Sequence, residues 1–150
     1  MEIFKRIERI QGQRKLAQAL LDIVEAEQHY DQTLWLSGEY FQDDTEKTGA
    51  ELRAILGRDV CGTKGCVAGN TVILTLPMKG TYNFRFDEVT LPDGTELRPS
   101  EYAQKKLGLS YPEASWLFNS NRTIEEVKQA LKLIASGRKI KRLVPTWYFS

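Results

Sequence analysis

Residues 66–76 read CVAGNTVILTL. Apolar or small side chains hold nearly every position, so no stripe marks a solvent face and the segment has to be buried on all sides. Two secondary structures compete for it. Val72 and Ile73 suit a strand, but Thr63 just upstream can cap a helix N-terminus. Pro77 then ends the run, because it lacks the amide a helix would need. The flanking signals favour a buried central helix over residues 64–76, and an element apolar all round must be wrapped by other helices.

Outward from that segment the pattern is mostly helical. Over residues 1–30, Ile3, Ile7, Ile10, Leu16, Leu20, Ile23 and Val24 recur at helical spacing with charges between them, and Gly12 divides the run into two helices. YDQTLWLSGEYF (30–41) and the polar DDTEKTG after it read as a long connection carrying anchoring side chains. GAELRAILG (49–57) supports a short helix over 50–56 that stops at a glycine. Between residues 80 and 98 the segments become short and alternating, and Pro92-Asp93-Gly94 is placed as a hairpin turn.

The last third carries clear punctuation. Ser100 is read as the cap of a helix through Leu107 that stops at Gly108. Ser110 with Glu113 forms a capping box for a helix to Phe118, and Thr123 with Glu126 forms another. The helix after Thr123 presents Ile124, Val127, Leu131 and Ile134 on one face and stops at Gly137. The fold expected is mainly α (α+β): a single-domain helical bundle over 1–150, built around the buried central helix, with a small β-hairpin insertion. Residues 137–150, GRKIKRLVPTWYFS, form a basic and aromatic C-terminal tail.

Composition narrows the function classes. With 41% hydrophobic and 27% charged residues, the 150-residue chain is ordinary globular material of one-domain size. A net charge of +1 gives no overall field toward nucleic acid or anionic membranes. The charge is uneven, however: residues 1–60 hold 12 acids against 8 bases, and residues 61–150 hold 8 against 13. The basic end is C-terminal. No apolar stretch approaches the roughly 18 residues of a membrane span, and MEIFKRIERI does not resemble a secretory leader, so no membrane association and a cytoplasmic location are expected. Two cysteines cannot build a disulfide framework, and Cys61, Cys66 and the lone His29 fall short of a structural zinc set, so neither metal nor cofactor is expected.

CGTKGCVAG (61–69) resembles the Cys-Gly-Thr, two variable residues, Cys, small residue, Gly core of an uncharacterised group of short bacterial and phage proteins. YDQTLW (30–35) lies where that group has an upstream segment ending in Trp. LGLSYPEASWLF (107–118), with Thr123 after it, resembles the group's downstream segment and Thr-initiated helix. Asn70 departs from the pattern, standing where the group has an aromatic residue or His. The resemblance implies a related fold and a phage or mobile-element setting, and it carries no activity.

Three chemistries follow from the residues. In the first turn of the central helix, Cys66 would have its thiolate favoured by free amides and by Lys64. With His29 as base and Gln32 donating to an oxyanion, that describes a thiol-dependent hydrolase or transferase. Against it, Cys66 precedes Val67, Ala68 and Gly69 at the mouth of an apolar helix, where a small buried side chain serves close packing. A Cys61–Cys66 redox pair is the other thiol reading. The second chemistry is nucleic-acid binding by an accessory protein. It would use the cluster Arg138, Lys139, Lys141 and Arg142 ahead of Trp147, Tyr148 and Phe149, since Glu125 and Glu126 disfavour the helix after Thr123 as a recognition helix. The third is protein–protein interaction without catalysis, the preferred expectation. Its contact surfaces are the C-terminal tail and Trp35, Tyr40 and Phe41, which otherwise fill the core beneath their connection. The partner is then a host or viral protein, and self-association through the tail is an alternative.

Overall fold

A computed structural model describes residues 9–26, 46–56, 67–83 and 86–149. The chain is mainly helical. Among the described residues it forms α1 (Gln13–Ala26), β1 (Glu46–Thr48), α2 (Gly49–Leu56), α3 (Val67–Thr75), β2 (Thr81–Asn83), β3 (Glu88–Thr90), β4 (Glu96–Leu97), α4 (Pro99–Leu107), α5 (Tyr111–Leu117) and α6 (Ile124–Ala135). Two short 3-10 turns, Lys141–Leu143 and Thr146–Phe149, follow.

The deciding segment is a helix, and all nine residues of α3 are buried. Burying a helix end leaves carbonyls that need donors, and here each one has a partner. Val72 O accepts the Leu76 amide at 3.0 Å and Leu74 O accepts the Ile10 amide at 2.8 Å. Arg53 Nη1 donates to Ile73 O at 3.1 Å and to Leu76 O at 2.7 Å, while Arg9 Nε donates to Thr75 O at 3.1 Å. Two guanidinium groups therefore meet the negative end of the α3 dipole, the place where cations are favoured. Inside the helix, Thr71 and Thr75 turn their hydroxyls back to Val67 O and Thr71 O, and the fully buried Tyr102 hydroxyl lies 2.9 Å from Thr75 Oγ1. The polar atoms that would disfavour burial are thereby satisfied.

The amphipathic N- and C-terminal helices are expected to surround the central helix, and the packing around α3 differs in one respect. α4 is its chief neighbour, with α2 and α1 beside it, whereas α6 packs along α1. Leu16, Leu20, Ile23 and Val24 of α1 and Val127, Ala130, Leu131 and Ile134 of α6 supply the buried faces. The start of α1 lies against the end of α6, where Arg14 crosses Gly137, so the two helices run antiparallel.

Three boundaries are corrected. The expected hairpin is a four-stranded antiparallel sheet in the order β1-β2-β3-β4. Pro92-Asp93-Gly94 does turn between β3 and β4, with Leu91 N–H on Thr95 O and Gly94 at φ 91°. The extra strand comes from the polar stretch read as connection: Lys47 pairs with Tyr82. Glu-Lys-Thr has no apolar alternation, and a three-residue edge strand is set by its partner's backbone, not by its own pattern. The α4 helix starts at Pro99, with Arg98 as N-cap and its amide on Glu101 Oε1 at 3.0 Å, so Ser100 lies within the first turn instead of capping it. Proline at the first helical position needs no amide partner, which places the boundary there. The third concerns α2, which begins at Gly49 under a Thr48–Glu51 capping box. A Cβ on Gly49 would sit 2.3 Å from Leu76 O and 2.4 Å from Pro77 O, so only glycine lets β1 and α2 approach the end of α3 this closely. Thr63, Lys64 and the start of the central helix before Val67 lie outside the described residues.

Candidate functional site

The C-terminal face is built by the way α6 ends. Gly137 adopts φ 79°, its amide bonds Ile134 O at 2.9 Å and the Arg138 amide bonds Leu133 O at 2.8 Å, the left-handed closure that reverses a chain at a helix end. Gly108 closes α4 in the same way. After the reversal the chain docks at every fourth residue: Ile140 is 1% exposed, Val144 is 4% exposed, and Tyr148 is half-buried against the core. Those anchors fix the registry of everything between them. Arg138, Lys139, Lys141 and Arg142 consequently all face solvent.

The aromatic residues beyond them are ordered against the same surface. Trp147 stacks on Tyr148 with ring centroids 4.1 Å apart, and is 68% exposed. Lys141 Nζ lies 5.6 Å from the centroid of the Phe149 ring, within cation–π range. Lys139, Lys141, Arg142, Val144, Thr146 and Phe149 line an open groove of about 480 Å³ with an apolar floor. A smaller cleft of about 260 Å³ adjoins it, where Arg14 joins Arg138 and Lys139 opposite the buried Glu113. Arg122 pairs with Glu126 and Lys128 with Glu125, and among the described residues no carboxylate pairs with the four tail cations. Their charge is directed outward.

A second cationic cluster is structural. Arg9, Arg53 and Lys106 gather at the end of α3, with Lys106 Nζ 5.4 Å from the Tyr102 ring centroid. Burial holds the Arg53 and Lys106 cations below their ordinary pKa values, and the charge of Arg9 adds to both depressions. The Arg9 and Arg53 donors are engaged with α3 carbonyls and Lys106 leans on the Tyr102 ring, so the two guanidinium groups terminate a helix. Lone arginines inside the fold leave no periodicity in the sequence, which is why pattern reading passes over Arg53 as a core residue.

Of the tail residues, Lys139, Lys141, Arg142 and Phe149 thus line one groove, Arg138 lines the adjoining cleft, and Trp147 stacks on the half-buried Tyr148. Cys61, Cys66, His29, Gln32, Trp35, Tyr40 and Phe41 lie outside the described residues. In the α5–α6 pair, α6 turns its apolar face to α1, Glu126 accepts from the Thr123 amide and binds Arg122, and Glu125 is exposed in the first turn. Among the described residues, no group of three or more His, Cys, Asp or Glu side chains is placed to hold a metal ion. No helix of those residues is long and apolar enough to cross a membrane. No protein-family model, curated protein or solved structure matches the chain.

Proposed function

We propose that the protein is a non-catalytic interaction module of the cytoplasm that binds another protein through its C-terminal face. The observation that carries this reading is the tail: Ile140 and Val144 are buried, so four exposed cations, none with a carboxylate partner among the described residues, and the exposed Trp147 are held in fixed positions on the folded body. Surface tryptophan and arginine are the residues that most often anchor protein interfaces. An exposed ring at a preordered site also costs less entropy to bind than the same ring on a loose chain. The resemblance to short bacterial and phage proteins makes a host or viral protein the expected partner.

Two tests separate this reading from its alternatives. Tagged wild-type protein should retain its partner from source cells at moderate salt, and Arg142→Glu with Trp147→Ala should release it with no change in melting temperature. Retention by that double variant would reject the assignment. For the thiol reading, Cys66 should alkylate at an ordinary thiol rate that His29→Ala leaves unaltered; a fast rate at neutral pH that falls on His29→Ala would replace the interaction module with an enzyme.

A nucleic-acid reading has one observation in its favour, the stack of Trp147 on Tyr148 beside four cations. Such a surface should shift single-stranded DNA or RNA with a steep dependence on salt. No shift at low salt is the outcome our reading predicts.

A further inference from the structure

Resting on the assignment of the C-terminal face as a protein-binding surface, we infer that the groove at its centre takes a short acidic segment of the partner that carries one apolar side chain. The apolar side chain would seat on Val144 and Phe149, and flanking carboxylates would meet Lys139, Lys141 and Arg142. Three features converge on that chemistry. The groove volume of about 480 Å³ falls in the range of ligand clefts, about 300–1,000 Å³, and suits side chains in place of a folded surface. Its floor is apolar, which a phosphate backbone does not fill. Its rim carries three cations and, among the described residues, no carboxylate partner for any of them, so charge complementarity selects an anionic ligand.

The two halves of the recognition divide the work. Exposed rim charges mainly steer association and weaken as salt screens them beyond about 10 Å at 0.1 M. The apolar anchor displaces water from the floor and sets the dissociation rate. Arg142 can grip a carboxylate with two parallel N–H bonds, whereas Lys139 and Lys141 act as point charges. Lys141 also leans on the Phe149 ring, so a carboxylate drawn to Lys141 is drawn to the mouth of the groove.

The experiment uses the full chain and a fluorescent twelve-residue peptide with four Asp or Glu residues flanking a single Leu. Anisotropy should report saturable binding that weakens about tenfold when the acids become Asn and Gln, and about tenfold again when Leu becomes Ser. Lys141→Glu with Arg142→Glu should abolish it, while a distant control, Lys128→Glu, should leave it intact. Equal binding by the neutral peptide, no dependence on Leu, displacement by an oligonucleotide, or no binding up to about 1 mM peptide would each overturn the inference. Self-association that disappears in the Lys141→Glu, Arg142→Glu variant would place a second copy in the groove and overturn it as well. The wider assignment fails separately, when the partner is still retained after Arg142→Glu with Trp147→Ala.

Discussion

Arg53 is 5% exposed and, among the described residues, has no carboxylate beside it. A buried guanidinium without a counter-ion is tolerable where carbonyl dipoles converge, and its two short bonds to Ile73 O and Leu76 O sit at the negative end of α3. Replacing it with Met should therefore cost about 2–4 kcal/mol in chemical denaturation, because two buried acceptors lose their donor at once. A loss below about 1 kcal/mol would show that the carbonyls find water or other donors. Gly49→Ala probes the same junction from the other side. The added methyl would overlap the Leu76 and Pro77 carbonyls, backbone atoms that cannot rotate away, and a destabilisation of about 1–3 kcal/mol is expected from the shifted midpoint. Tyr102 gives the interior a pH signature. Burial raises its hydroxyl above the ordinary tyrosine range, more than the Thr75 hydrogen bond and the nearby Arg9 and Arg53 charges lower it. The folded state then holds that proton more tightly than the unfolded chain, so the stabilisation is complete below the ordinary tyrosine value of about 10 and is lost as pH rises from there through the raised folded-state value. Melting temperatures from pH 8 to 11 should fall more steeply for the wild type than for Tyr102→Phe, and parallel curves would count against the buried hydroxyl.

Helix ends were the most readable elements, because caps act through local hydrogen bonds that a few residues specify. Thr123 Oγ1 accepts the Glu126 amide at 3.1 Å and Glu126 Oε1 accepts the Thr123 amide at 2.9 Å, as the spacing implied. Thr123→Ala should lower stability by about 1 kcal/mol, and a neutral effect in thermal melts would mean that α6 is held by packing on α1 alone. Gly108 and Gly137 likewise stop their helices where the sequence placed them. The buried character of α3 was legible from its unbroken apolar run. What could not be read is whatever a distant strand or helix decides. β1 exists because β2 offers a free edge to three polar residues, and α4 rather than α6 lies against α3 because of chain geometry. At the candidate site, the cations and aromatic rings of the tail were visible as composition. The groove was not, since it depends on Ile140 and Val144 turning inward between them.

For the molecule as a whole, those two residues decide whether residues 138–149 are an appendage or part of the body. Ile140→Ala should cost about 2–5 kcal/mol, the loss typical of a buried aliphatic truncation, whereas a detached tail would lose nothing. The interior then holds α3 and the buried Arg53, while the exposed cations of the tail lie on the C-terminal segment. Amide chemical shifts of the full chain, followed during titration with the acidic Leu-bearing peptide, test that division most directly. Perturbations centred on residues 138–149 and the Trp147 indole are expected. Perturbations centred on residues 29–41 or 61–66, or no perturbation at saturating peptide, would contradict that division.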